Sequence, residues 1–390
     1  MAIEGRSDSK AGGRVRYGMV GGGEGAFIGA VHRLAARMDD DYVLVAGALS
    51  STPEKAQRSG EALGLAADRI YPDFETMARK EKRRKDGIEA VSIVTPNHMH
   101  APAAEAFIKA GIHVICDKPV TTTLKDALRL KKLAADKGVI FAVTHNYTGY
   151  PLIRAAREMV KSGQLGPIRL IQVEYPQDWL TTPIEQSGQK QADWRTDPKR
   201  SGAGGAIGDI GTHAFNLAQF VGGLEVSELL AELTSFVPGR ALDDNVQILL
   251  RYANGARGAL WASQVAPGNE NGLMLRVYGE KAGFHWRQDN PNYLYFTPHG
   301  EPTRIITRGS AAAGEDAARM TRVPPGHPEG YLEGFANIYT EIARAIRAAR
   351  GGEALDPAVL FPGIDDGIAG MAFIEAAVKS SKKGGVWVKP

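Results

Sequence analysis

Asp209 and His213 stand four residues apart in "GGAIGDIGTHAFN", residues 204–216, a stretch with four glycines. If the chain turns helical after its glycines, that spacing sets both side chains on one face, about one turn apart. Such a pair can give two metal ligands, an acid-base pair, or the cap and fastening of a helix, and spacing alone leaves all three open. A catalytic zinc calls for three protein ligands and a structural zinc favours cysteine. With one cysteine, Cys116, and no tight histidine cluster, the sequence argues against metal.

Other chemistry-bearing residues follow apolar runs. "VGGGEGAFIGAVH" places Gly21 and Gly23 directly after a first strand pattern, with Gly29 six residues beyond Gly23. Glycines there let the backbone approach a pyrophosphate, whose charge a helix N-terminus favours. The spacing is longer than the usual form of this loop, the extra residues falling within Glu24 to Ile28. About 20 residues further on, such a fold reads the ribose with an acid for NAD, or with Ser and Arg/Lys for a 2′-phosphate. The chain has Ser50 and Ser51 there, with Lys55 and Arg58 nearby and no carboxylate at the strand end; NADP is permitted and NAD is not excluded. Two further strand patterns end in "TPNHMH" and "CDKPV". Ligands bind beyond strand C-termini in an open α/β sheet, which marks Thr95, Pro96, Asn97, His100, Asp117, Lys118 and Pro119. A lysine at that place can stabilise charge or share in proton transfer.

The elements that must position these groups alternate. "RVRYGMV", "YVLVAGAL", "EAVSIV", "IHVICD" and "VIFAVTHN" read as strands, separated by helical patterns such as "IGAVHRLAARM", "HAPAAEAFIKAG" and "TLKDALRLKKLAADKG". Near-continuous apolar strands between long helices predict a doubly wound parallel sheet over residues 14–145. From 146 to 390 the texture changes. After the helix "YPLIRAAREMVKSGQLG", strand patterns follow one another, and Asn254-Gly255 in "YANGARG" signals a hairpin. This part reads as an α+β domain on an open, mainly antiparallel sheet, with a helical tail that packs back and a long loop over 308–328.

Composition closes several alternatives. Of 390 residues, 47 are basic and 44 acidic, a balance that makes no case for nucleic acid or membrane binding. The basic run "RKEKRRK", 79–85, reads as a solvated face. One cysteine excludes an intrachain disulfide and fits a reducing compartment. No stretch approaches ~20 uninterrupted apolar residues, and the expected location is cytoplasmic. Residues 1–13, with "IEGR", read as a tail or protease-cleavage scar and are set aside.

"VGGGEGAFIGAVH", "TPNHMHAPAAEAFIKAGIHVICDKPV", "LGPIR" and "GGAIGDIGTHAFN" occur in an order and spacing that resemble the glucose-fructose oxidoreductase / inositol dehydrogenase / rhizopine catabolism (Gfo/Idh/MocA) family of NAD(P)-dependent oxidoreductases. The resemblance runs from about residue 14 to the C-terminus. It implies a Rossmann domain, an open-sheet substrate domain, and dimers or tetramers formed through that sheet. Lys118 matches the family's catalytic lysine, although its Glu-Lys-Pro motif is here Asp117-Lys118-Pro119. Asp209 and His213 match its acid and histidine, and "TPN" with His100 the stretch beside the nicotinamide. Tyr147, Trp194 and Arg195 lie where the family often places substrate-side groups; His327 is a weaker candidate. The expected activity is hydride exchange between the cofactor and a secondary alcohol or ketone of a sugar, inositol or related polyol. A glycoside-processing enzyme that oxidises transiently and a non-catalytic regulator on the same fold are the alternatives.

Overall fold

The computed structural model describes residues 13–390, so the reading of 1–12 as a tail or scar lies outside the described residues. The chain forms two compact units. One comprises the residues up to Thr121 with Lys125–Gly149 and Tyr331–Ile368; the other comprises Thr122–Leu124, Tyr150–Gly330 and Ala369–Pro390. Residues 331–368 thus belong with the N-terminal part of the chain, whereas the sequence reading keeps 146–390 together.

The first unit runs β1 (Val15–Gly21), α1 (Phe27–Met38), β2 (Tyr42–Ala48), α2 (Pro53–Ala62), α3 (Phe74–Glu81), β3 (Ala90–Val94), α4 (His100–Ala110), β4 (His113–Cys116), α5 (Leu124–Lys137) and β5 (Phe141–Val143). Its five strands pair in parallel in the order β2-β1-β3-β4-β5. Every residue of β3 is buried, which is why that strand reads as an unbroken apolar run. The winding reverses between β1 and β3, and such a reversal opens the ligand crevice of a doubly wound sheet at the strand C-termini.

The second unit contains α6 (Pro151–Lys161), β6 (Ile168–Pro176), α7 (Lys190–Arg195), α8 (Pro198–Ser201), α9 (Thr212–Gly222), β7 (Val226–Thr234), β8 (Asn245–Tyr252), β9 (Arg257–Ser263), β10 (Met274–Gly279), β11 (Ala282–Arg287), β12 (Tyr293–Pro298), β13 (Arg304–Thr307) and α10 (Gly314–Met320). An eight-stranded sheet in the order β13-β12-β11-β10-β6-β9-β8-β7 is antiparallel except where β6 meets β9. Period-two burial shows in β8, where Val246, Ile248, Leu250 and Tyr252 are buried and Gln247 and Leu249 exposed. Helix α9 is buried along nearly its whole length, with polar Thr212, His213 and Asn216 among the buried residues and Gln219 partly exposed. The hairpin foretold by "YANGARG" joins β8 to β9, with Gly255 at φ +91° and Asn254 Oδ1 accepting from the Ala256 amide.

Residues 308–328 are not wholly the loop expected of them. They contain α10, whose Ala317 and Met320 are buried and whose first turn carries Glu315 and Asp316, the charge a helix N-terminus favours. Helix α11 (Tyr331–Gly351) returns to the first unit, where Phe335, Ile338, Tyr339, Ile342 and Ile346 join Val15, Tyr17, Met19 and Val31 in one core. Burial of side chains of this size contributes roughly 1.5–3 kcal/mol each before entropy is counted. Helix α12 (Ile364–Lys382) ends the described elements, and no helix among the described residues is long and apolar enough to cross a membrane.

Candidate active site

In the first unit β1 delivers the chain into a glycine loop. Gly21, Gly22 and Gly25 have φ of +79°, +72° and +74°, a region that side-chain-bearing residues rarely adopt. Gly29, the out-of-register glycine, lies in α1 against the loop: a Cβ there would stand 2.3 Å from Gly22 Cα. It therefore allows close helix-to-strand approach, which the third glycine does in the shorter form of such loops. A Cβ on Gly23 would meet Leu49 O at 2.6 Å, and Gly22, absent from the sequence reading, is hemmed in by Val94 and Gly29. The Gly23 amide donates to Leu49 O and the Glu24 amide to Ser59 Oγ, tying the loop to the β2–α2 corner. Helix α1 begins without a side-chain cap and without an acid in its first turn. Beyond β2, Ser50 Oγ accepts from the Thr52 amide, Ser51 is exposed and Lys55 half-buried; Arg58 lies 3.4 Å from Glu24, both exposed.

The turns after β3 and β4 complete this set. Gly21 sits against Thr95, whose buried Oγ1 has no hydrogen-bond partner. Pro96 leads into a short turn over Asn97–Met99, with Asn97 buried. His100 is also buried: its Nδ1 is 2.8 Å from Pro119 O and its Nε2 2.9 Å from Thr95 O. A neutral imidazole donates to only one of them, and burial holds this histidine below its usual pKa. His100 thus fastens the two turns to each other through its ring nitrogens. Asp117 Oδ1 accepts from the Lys118 amide at 2.8 Å and from Thr144 Oγ1 at 3.1 Å, so the acid braces the backbone from which Lys118 projects. Burial and the Lys118 charge push nearby His145 down to about 3. Tyr147 lies in the turn Asn146–Gly149 and is buried. Cys116 is fully buried, and burial raises its thiol pKa.

An uncapped, acid-free helix start behind a glycine cradle, with an orphaned threonine hydroxyl beside it, fits a dinucleotide: amides and the helix dipole meet the pyrophosphate, and the glycines of the loop add no side chain between them.

In the second unit Asp209 does not sit in ordinary helix. Residues Ile207–Gly211 form a π-helical turn that runs directly into α9, where His213 is the second residue and is buried. Such turns recur at functional sites. Asp243 pins this segment, Oδ1 accepting from the Gly205 amide at 2.7 Å and Oδ2 from the Ile207 amide at 2.8 Å. Burial raises Asp243 to about 6, and those two amides pull against the rise. Asp209 Oδ2 accepts from Gln264 Nε2 at 2.8 Å and pairs with Arg195 Nε at 3.3 Å. Arg195, on α7, stacks over the neighbouring Trp194 ring at 4.2 Å, which occupies one indole face, and accordingly serves Asp209 and Trp194 together. The Tyr175 ring lies 6.3 Å from that of His213, and its hydroxyl donates to Asn271, which also receives Gln177 and donates to Gln288. His327 is exposed, its carbonyl bonded by Arg308.

Asp243, Gln264 and the Tyr175–Asn271–Gln288 chain have no assignment in the sequence reading. "LDDN" before β8 was the available signal for Asp243; the others are single polar residues in or after strands. Among the described residues no group of three or more His, Cys, Asp or Glu is arranged to hold a metal ion.

Residues 15–145 match the oxidoreductase family model described as an NAD-binding Rossmann fold, and residues 153–285 match the GFO/IDH/MocA C-terminal domain. An uncharacterized oxidoreductase of Bacillus subtilis is 36% identical over 96% of each chain. A solved oxidoreductase from Sinorhizobium meliloti is 58% identical over 96% of this chain and 99% of its own, with a TM-score of 0.88. An inositol dehydrogenase homologue from Azotobacter vinelandii complexed with NAD+ is 38% identical over 97% of each chain, with a TM-score of 0.94. An inositol dehydrogenase homologue from Azotobacter vinelandii complexed with NADH and myo-inositol aligns at 36% identity over 97% of this chain and 98% of its own, with a TM-score of 0.91. The chain belongs to the Gfo/Idh/MocA oxidoreductase family and carries its NAD-binding Rossmann domain.

Proposed function

We propose that the chain is a dehydrogenase or reductase acting on a secondary alcohol or ketone of a sugar, inositol or related polyol, with Lys118, Asp209 and His213 as its catalytic residues. The observation that carries this reading is the braced acid-histidine pair: Asp209, held by Gln264 and Arg195, precedes His213 by one turn in a chain that also carries an NAD-binding unit. The relative solved with NADH and myo-inositol supports the polyol class.

When bound, the nicotinamide would supply hydride transfer to or from the carbon that bears the reacting hydroxyl. Gly21, Gly22, Gly23 and Gly29 admit the pyrophosphate, Ser50 and Ser51 meet the ribose, and Thr95 to Asn97 line the nicotinamide end. His213 acts as the general base that removes the hydroxyl proton. Lys118 stabilises the developing alkoxide charge, and Asp209 holds a neighbouring hydroxyl or the imidazole itself. Tyr147, Trp194 and Arg195 contribute further substrate contacts. NAD+ serves as cofactor, while the turn with Ser50, Ser51, Lys55 and Arg58 tolerates a 2′-phosphate. The chain works as a homodimer or homotetramer.

A panel of inositols, aldoses and anhydrosugars followed at 340 nm with NAD+ and with NADP+ tests the reading. Stoichiometric accumulation of reduced cofactor with a polyol is expected. Reduced cofactor that forms and is reconsumed while a glycosidic bond breaks would replace net oxidation with a transient cycle; no absorbance change with any member, despite cofactor binding, would favour a regulator.

A further inference from the structure

His32, on α1, is a fully buried titratable group that the mechanism above leaves unused. Its Nδ1 is 2.8 Å from the Tyr339 hydroxyl, which is 2.7 Å from Ser92 Oγ. All three side chains are buried, and the Phe335 and Tyr339 rings lie 5.0 and 5.8 Å from the imidazole. The other ring nitrogen, Nε2, has no hydrogen-bond partner and lies 4.0 Å from Asp117 Oδ2.

A bare Nδ1 accepts from the Tyr339 hydroxyl, which accepts in turn from Ser92, and Nε2 then carries the proton toward the carboxylate. The opposite tautomer would set a nitrogen lone pair against a carboxylate oxygen inside the protein, where such a clash is poorly screened. Burial lowers the His32 pKa to about 4 against the pull of Asp117, so the ring is neutral near neutrality. Ser92 lies in the core, so the chain has no outlet to solvent and orients rather than conducts. Asp117 Oδ1 is already taken by the Lys118 amide and Thr144, and Oδ2 is the oxygen that faces His32.

We infer that His32, set by Tyr339 and Ser92, is a positioning residue for the Asp117–Lys118 corner: its Nε2–H dipole points at the Asp117 carboxylate from 4.0 Å, outside hydrogen-bond reach, and favours the orientation in which Oδ1 braces the backbone that aims Lys118. The inference rests on the proposed role of Lys118. It also gives the shorter carboxylate of Asp117, in the turn after β4, a polar neighbour reaching in from α1.

The test has one arm that needs no turnover. In the full chain labelled with 15N-histidine, long-range 1H–15N correlation is expected to show His32 protonated at Nε2, with that resonance moved by Asp117→Asn and mixed tautomers in Tyr339→Phe. A proton on Nδ1, or an Nε2 signal indifferent to Asp117→Asn, would overturn the inference. In the second arm, with NAD+ and myo-inositol, His32→Leu is expected to lower kcat by up to about 100-fold, the scale of a small misplacement, with NADH affinity little changed. His32→Gln, whose amide can still donate, should recover most of it. A folded His32→Leu with full turnover beside an inactive Lys118→Ala sinks the inference and keeps the catalytic lysine; full turnover in Lys118→Ala sinks the lysine's role instead. If His32→Leu does not fold, or myo-inositol is not turned over, the spectroscopic arm decides.

Discussion

Two glycine-rich turns lead into helices in this chain, and they treat backbone amides in opposite ways. The loop of Gly21 to Gly25 opens onto α1 with no capping side chain and no acid in the first turn. The segment of Gly204 to Gly211 opens onto α9 with the Asp243 carboxylate already bonded to the Gly205 and Ile207 amides. The first leaves its helix N-terminus to an external anion; the second uses an internal one to pin the turn that carries Asp209 into α9. Glycine content is alike in both, so the difference lies in what meets the amides, and that is a matter of tertiary structure.

The largest expected effect falls on the side chains that the second turn carries. His213→Ala should lower turnover by about 100- to 10,000-fold, the usual worth of a positioned general base, while NADH affinity measured by fluorescence stays nearly intact. A loss of cofactor binding of comparable size would erase the contrast between the two turns. Next come the glycines themselves. Gly29→Ala drives a Cβ into the Gly22 backbone and should cost about 1–3 kcal/mol, the range for overpacking, together with most of the NADH affinity. Gly208→Ala meets nothing within 4 Å and should leave unfolding stability unchanged or raise it by up to about 1 kcal/mol, the helix preference of alanine over glycine. Chemical denaturation of both variants decides the matter, and equal losses would refute it. Asp243→Ala strands two amides and should cost about 1–3 kcal/mol, lowering kcat more than NADH affinity.

The smallest effect is a slope with pH. His32 has a folded pKa of about 4, held down by burial and by the charges of Arg33 and His100 against Asp117. The unfolded chain, with an ordinary histidine pKa of ~6.5, binds the extra proton first. Its contribution is therefore complete above ~6.5 and is lost as pH falls toward about 4. Asp243, raised to about 6, acts with the opposite sign: its contribution is complete below the unfolded carboxylate value of ~3.9 and is lost as pH rises through about 6. Thermal unfolding across pH 4 to 7 should accordingly show a shallower acid-side fall in His32→Gln than in the parent chain; parallel curves would deny His32 its depressed pKa.

Much of this was legible because local pattern and tertiary environment agree. Buried parallel strands are continuous apolar runs, β8 alternates, and Asn254-Gly255 makes the turn it signals. The rest depended on partners far away in the chain. Helix α10 is too short to display a period and is defined by burial of Ala317 and Met320. Strand β13, of four residues, is too short to display an alternation. Asp209 and His213 stand out by type and spacing, but nothing local says that Gln264 and Arg195 hold the acid or that Asp243 clamps the turn before it. His32 reads as one more residue of an amphipathic helix until Tyr339, some 300 positions away, is placed beside it.

The most direct test of the account compares single-turnover formation of NADH at 340 nm, with a polyol identified by the substrate panel, in the parent chain and in His213→Ala loaded with the same cofactor. The account predicts stoichiometric NADH from the parent chain and a rate lower by about 100-fold or more in the variant, with cofactor affinity retained. An equal rate in both would contradict it.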